Sequence, residues 1–227
     1  MTSRFNFDLV GIEELPTVPT ERGRYYRVPT GELYPSVTTV LGEQPEKKSI
    51  LDKWRKRIGI EQAERISTKA AKRGTEMHSL METYIIDEQI PKDLMPTTRQ
   101  IFNGLRYAVD NNLEVVLSIE ASLYSHRLKL AGRADLIGQW GGENAVIDYK
   151  TSAKVKREEW IRDYFIQATA YSIMFEELTS INVPNVVLLI GCDGETHPQV
   201  FVRQRHDYVQ DLFRIVDEYH QRQRSGS

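Results

Sequence analysis

The stretch from Gly132 to Ser152, GRADLIGQWGGENAVIDYKTS, constrains this chain more than any other. Gly132 to Gly138 and Asn144 to Thr151 are short apolar or β-branched runs, and the Gly141-Gly142 pair between them signals a two-residue hairpin turn. With that pair as the turn, Trp140 lies opposite Glu143 and, counting outward, Asp135 faces Asp148. Directly opposed side chains sit roughly 4.5 to 5.5 Å apart at Cβ, and like charges so placed destabilise a sheet. Something positive belongs between them. Strand side chains alternate with period two, so Asp148 and Lys150 project from the same face. Two carboxylates and an ammonium then converge, an arrangement that a divalent cation held by oxygen ligands makes favourable.

The 227 residues suffice for one sizeable core, so a single unit over 1–227 is expected, with residues 1–60 as an N-terminal arm and a basic helical elaboration. A net charge of −2 gives no global attraction for a polyanion, and any nucleic-acid contact must come from local basic patches. The single cysteine, Cys192, excludes a disulfide framework and a four-cysteine zinc or iron-sulphur site built by this chain alone; within VVLLIGC it reads as a small buried apolar residue. No apolar run approaches the roughly 20 residues of a membrane-spanning helix. Asp8, Glu13 and Glu14 fit neither a secretory signal nor an Arg-rich transit peptide, so the expectation is a reducing cytoplasm, bacterial or that of a phage-infected host.

Along the chain, residues 1–23 read as an irregular arm with a short strand at Phe5 to Leu9, followed by a strand from Arg24 to Val28. Ser36 can cap a short helix that Gly42 ends, and with Thr38 it offers hydroxyls for a phosphate. Ser49 to Ile58 is a basic helix carrying Lys53, Arg55, Lys56 and Arg57 around Trp54, a mixture that suits a solvated face or a nucleic-acid strand. From Glu61 to about Ile86 the apolar positions Ala63, Ile66, Ala70, Met77, Leu80, Met81 and Tyr84 keep a helical period and predict a long helix with a buried stripe. Gly74 costs about 1 kcal/mol against alanine in such a helix, which invites a packing or close-approach reason one turn before His78. Thr97 to Asn111 is a second helix, and residues 113–124 form a strand whose one central acid is Glu120. After the hairpin come an amphipathic helix from about Arg157 to Leu178, a buried strand from Val186 to Cys192, a strand from Gln199 to Arg203, and a helix from His206 to Arg224. The final Ser-Gly-Ser reads as a disordered end. This order is that of a mixed sheet flanked by helices, an α/β (α+β) class.

Taken together, His78 after Gly74, Gly132-Arg133-Ala134-Asp135, Asp148-Tyr149-Lys150 and Gln167-Ala168-Thr169-Ala170-Tyr171 resemble the motif series of PD-(D/E)xK nucleases, in the RecB-like branch with a helix histidine and a Q-x-x-x-Y motif. YPSVTTVL, RGTEMH, IDYKTS and QATAYS are similar to the mitochondrial genome maintenance exonucleases and their phage and bacterial relatives, over roughly residues 24–220. Ala134 stands where the family's proline does. The iron-sulphur members need a cysteine set that is missing from this sequence, so no iron-sulphur cluster is expected.

The resemblance implies a restriction-endonuclease-like αβββαβ core and a metal-dependent deoxyribonuclease. It assigns His78, Asp135, Asp148 and the backbone carbonyl of Tyr149 to Mg2+ or Mn2+, with Lys150 orienting or deprotonating the attacking water or neutralising developing charge. Glu120 is expected beside the site, as an acceptor behind the ligands or in a structural ion pair. Gln167 and Tyr171 are expected to hold the nucleic-acid backbone or the hairpin ends. Arg73, Arg133, Thr151, Ser152 and Lys154 are candidate phosphate contacts. The expected activity is that of an exonuclease preferring single-stranded DNA ends. A duplex-resecting exonuclease, a structure-specific endonuclease and a silent DNA-binding subunit are the alternatives. Oligomeric state has no sequence signal here.

Overall fold

The computed structural model describes residues 4–225. Strand β1 (Asn6–Phe7) is the core of the short strand expected near the start. The stretch expected to continue as an irregular arm instead contains β2 (Thr17–Thr20), which pairs antiparallel with β3 (Gly23–Arg27), itself paired with β4 (Leu33–Pro35) in a three-stranded sheet. Pro19 demotes the sequence TVPT as a strand, but β2 lies at the sheet edge, where a residue without an N–H is tolerated.

Helix α1 (Val37–Gly42) opens on Ser36, whose Oγ accepts the backbone N–H of Thr39 at 3.0 Å. Helix α2 (Pro45–Ile58) starts at Pro45 rather than Ser49, because proline in the first turn gives up only an N–H that has no helical partner. Gly59, at φ 88, separates it from α3 (Ile60–Ile85). The apolar stripe of α3 is buried from Met77 to Ile85, whereas in its first half Ala63 is buried but Ile66 and Ala70 are exposed. Then follow α4 (Pro96–Asn112), β5 (Leu113–Ser125), β6 (Leu130–Trp140) and β7 (Glu143–Ser152). The single helix expected from Arg157 resolves into a 3-10 turn (Glu158–Trp160) and α5 (Arg162–Thr179), and the chain closes with β8 (Asn185–Cys192), β9 (Gln199–Gln204) and α6 (His206–Ser225). Of the expected disordered end, Ser225 is helical and Gly226 and Ser227 lie outside the described residues.

The larger sheet has the order β1-β5-β6-β7-β8-β9, with β1–β5 and β7–β8 parallel and the other pairs antiparallel. It is the mixed, helix-flanked sheet that the motif order implied. Every residue of β8 is buried, and alternate side chains serve opposite faces. Val186, Leu188 and Ile190 join the core with α1, α5 and α6, while Val187 and Leu189 join the core with α3 and α4.

Candidate active site

The hairpin places the site. Gly141 and Gly142 have φ of 59° and 85°, the left-handed pair that a two-residue turn matched to strand twist requires. The ladder runs from Trp140↔Glu143 to Leu136↔Ile147, as that turn dictates, and ends one step before Asp135 would face Asp148. There the strands part. Asp148 stays on the ladder with β8, opposite Leu188, and Asp135 reaches across to β7, its Oδ2 accepting the backbone N–H of Tyr149 at 2.9 Å.

Both acids are buried. Asp148 is 1 % exposed, and neither of its oxygens has an aligned hydrogen-bond donor, although the Lys150 ammonium is in ion-pair contact with Oδ2. A buried carboxylate left so poorly satisfied is costly unless something positive completes its surroundings. Burial, opposed by Lys150 and reinforced by Asp135, raises the Asp148 carboxyl to about 6. For Asp135, burial opposes ionisation, yet the hydrogen bond and charge of His78, with Lys150 and the Tyr149 N–H, hold it below the usual carboxylate range. Burial would discharge Lys150, but Asp148 and Asp135 keep its ammonium above its ordinary value, and the Tyr164 ring lies 5.3 Å from Nζ.

His78 comes from the buried half of α3 and bridges the two strands. Nδ1 lies 3.2 Å from Asp135 Oδ1, and Nε2 lies 2.8 Å from the Tyr149 carbonyl oxygen. Both partners are acceptors, so both ring nitrogens donate and the ring carries a proton. Burial works against that charge, but the Asp135 hydrogen bond and the charges of Asp135 and Asp148 outweigh it and lift the imidazole to about 9.

Glu120 stands opposite Asp135, flanked by the ladder pairs Ile119↔Leu136 and Ala121↔Ala134. Its φ is +47° in the middle of a strand, a conformation that costs a non-glycine residue roughly 1–2 kcal/mol. Burial first, then Asp135, raises its carboxyl to about 7. His78, Glu120 and Asp135 each offer a ligand atom within 4.8 Å of the others. Of the expected ligands, His78 and Asp135 fall in this cluster and the Tyr149 carbonyl lies against His78 Nε2, whereas Asp148 is not one of its three members and is in contact with Lys150 instead; the third member is Glu120. A mixed set of carboxylate and imidazole donors suits a divalent cation.

A cleft opens on this cluster between Gly74 and His78 of α3, Glu120 and Arg133 of the large sheet, and Arg24 and Tyr26 of the small sheet. A Cβ at Gly74 would meet nothing within 4 Å, so this glycine has no packing reason and fronts the open cleft. Gly132 does have one: a Cβ there would lie 2.6 Å from Cε1 of Tyr171. Tyr171 is buried against the start of β6 and accepts a hydrogen bond from Gln167 Nε2 at 3.0 Å, which sets this pair at the hairpin end.

The candidate phosphate contacts divide. Ser36 and Ser152 are buried: Ser36 Oγ caps α1, and Ser152 Oγ closes a turn with the backbone of Lys154. Arg73 Nη1 lies 2.8 Å from both Asp193 oxygens and its Nε donates to Thr151 Oγ1 at 3.3 Å. Arg133 lines the cleft while donating to Glu14 at 2.6 Å. Thr38 and Lys154 are exposed. Arg24 and Tyr164 were missed as site residues; the Tyr164 position in a regular apolar stripe reads as core.

A family model described as the PD-(D/E)XK nuclease superfamily matches residues 60–224, from the helix of His78 to the last turns of α6. No curated protein matches the chain.

Proposed function

Because the chain belongs to the PD-(D/E)XK nuclease superfamily, we propose that it is a DNA exonuclease of the RecB-like branch, working with Mg2+ or Mn2+ and acting at single-stranded ends. The observation that carries the site assignment is the cluster of His78, Glu120 and Asp135, whose ligand atoms lie within 4.8 Å of one another beside the buried Asp148–Lys150 pair. Carboxylates and an imidazole gathered so closely are suited to a divalent cation. The preference for single-stranded ends rests on the similarity of YPSVTTVL, RGTEMH, IDYKTS and QATAYS to the mitochondrial genome maintenance exonucleases and their relatives.

In this reading His78, Asp135, Asp148 and the Tyr149 carbonyl would hold the ion, together with Glu120. What a divalent cation supplies at such a site is polarisation of the phosphodiester and a more acidic bound water. Lys150 holds a fixed positive charge where the phosphoryl oxygens gain negative charge, and Asp148 and the Tyr164 ring fix its position. Asp135, kept ionised by its neighbours, would be available as a ligand at neutral pH. Tyr171 and Gln167 pin the strand that presents Asp135, so that the acids keep their spacing.

Incubation with linear single-stranded, linear duplex and circular DNA, each with Mg2+, Mn2+ or EDTA, tests this. Loss of linear single strands with either metal and none with EDTA is the expected result. Degradation of circles as fast as linear strands overturns the exonuclease assignment.

A further inference from the structure

Away from the site, two hollows meet beside α6. One, of about 500 Å³, lies between this helix and the turn that joins β5 to β6; the other, of about 440 Å³, lies between the helix and the small sheet. Lys129 and His220 line both, so the two form one groove. Its walls are fixed. Leu128, in the turn, is buried in the core shared with α6; its N–H donates to Ser125 Oγ at 2.9 Å and its carbonyl accepts from His220 Nε2 at 3.1 Å. Lys129 follows with a left-handed φ of +51°, uncommon for a residue other than glycine, and so presents its ammonium from a pinned turn. On the opposite wall the hydroxyls of Tyr25 and Tyr219 lie 2.9 Å apart and tie the small sheet to the helix.

The groove combines an apolar floor with a basic rim. Leu128 and Val216 are buried beneath it, Phe213 closes one end, and Tyr25, Leu33 and Pro35 line the other. Four cations, Arg22, Arg127, Lys129 and Arg224, stand against two acids, Glu32 and Asp217, an excess of +2 in a chain whose total is −2. Arg127 lies over the Phe213 ring and pairs with Glu177, whereas Lys129 and Arg224 form no ion pair among the described residues. Phe213, Val216, His220 and Arg224 recur at three- and four-residue intervals, so they share one face of α6 over about 16 Å. An extended peptide covers that length in about five residues.

Charge and shape separate the occupants. A nucleic-acid strand carries a phosphate at every step and would bring some of them against Glu32 and Asp217. Successive side chains of an extended peptide point opposite ways, so apolar ones can take the floor while the acids between them reach Lys129 and Arg224. Its N–H groups can meet Glu32 and Asp217. The groove is also turned away from the metal cluster: side chains alternate along β3, and Tyr25 faces the groove while Arg24 and Tyr26 face the active-site cleft.

We propose that this groove docks a short acidic segment of a partner protein, extended along α6, in which aspartate or glutamate alternates with aliphatic or aromatic side chains. Nothing in it depends on the metal chemistry, so it stands or falls apart from the nuclease reading. The test selects a displayed library of short random peptides on the full chain, then measures the most enriched peptide, labelled with fluorescein, by anisotropy. The selected sequences are expected to interleave acids with apolar residues. The Lys129→Glu/Arg224→Glu variant is expected to bind the peptide at least about tenfold more weakly. Lys69→Glu/Lys72→Glu changes the net charge by the same amount on α3 and is expected to bind it as the wild type does; all four altered residues are exposed, and circular dichroism checks that both variants are folded. Selected peptides without an excess of acids, unchanged binding by the groove variant, or equal losses in the two variants overturn the proposal. Displacement of the peptide by an oligothymidylate of about ten nucleotides gives the groove to nucleic acid and overturns it as well. A dimer of the wild type that the peptide disperses gives the groove to a second copy of this chain, with the same consequence.

Discussion

His78 and Asp135, brought together from α3 and β6, lie 3.2 Å apart, and the imidazole that joins them also reaches the Tyr149 carbonyl. One ring thus touches two of the groups assigned to the metal. A protonated His78 is the partner of these acceptors in the structure, and it must lose that proton to become a ligand.

Metal binding is therefore expected to release protons. At pH 7 to 8 His78, raised to about 9, is protonated, and Glu120, raised to about 7, is partly so. Isothermal titration with Mn2+ in buffers of different ionisation enthalpy should show release of about one proton per ion at pH 8. Affinity should climb as pH rises toward 9 and level beyond it. An affinity independent of pH between 7 and 9 contradicts the assignment of His78.

The same shift sets the stability of the metal-free protein. The folded His78 value of about 9 exceeds its ordinary 6.5, so the folded chain binds the proton more tightly than the unfolded one. The resulting stabilisation is complete below pH 6.5 and is lost as pH rises through 9. In EDTA, thermal melts should show Tm falling over that window, and His78→Gln should flatten the fall.

The left-handed backbone at Glu120 can be separated from its side chain. Glu120→Ala keeps the strain and Glu120→Gly relieves it, so the glycine variant should be the more stable by about 1 kcal/mol in urea unfolding. Both should lose metal affinity. Equal stability of the two variants would show that the φ of +47° stores no strain.

Gly132→Ala forces a methyl to within 2.6 Å of the Tyr171 ring, whose burial leaves it little room to move. Overpacking of this kind costs roughly 1–3 kcal/mol. Gly74→Ala, facing open space in a helix, should instead stabilise by up to about 1 kcal/mol. Chemical denaturation of the two single variants should give opposite signs.

The hairpin register could be read from the sequence because it is set locally: Gly141-Gly142 admits the turn, and the turn fixes every pair up to Leu136↔Ile147. The arrival of His78 is not local, and only the resemblance of the motif series indicated it. The backbone of Glu120 has no sequence signal, since the residue there is neither glycine nor asparagine. Periodicity in α3 marked a stripe but could not say that Ile66 and Ala70 within it stay exposed. Arg73 and Arg133 looked free for phosphates because Asp193 and Glu14, which take them up, are distant in sequence. Pro19 hid β2, and with it the small sheet that brings Arg24 to the cleft.

The central claim is that Asp148 and its neighbours form a metal-dependent phosphodiesterase site. Asp148→Asn keeps the shape of the side chain and removes its charge, so it is the most direct probe. Cleavage of a linear single-stranded oligonucleotide in Mn2+ should fall by at least about a hundredfold, while circular dichroism and the melting transition in EDTA show a folded protein. A folded Asp148→Asn variant that cleaves at the wild-type rate would contradict the account.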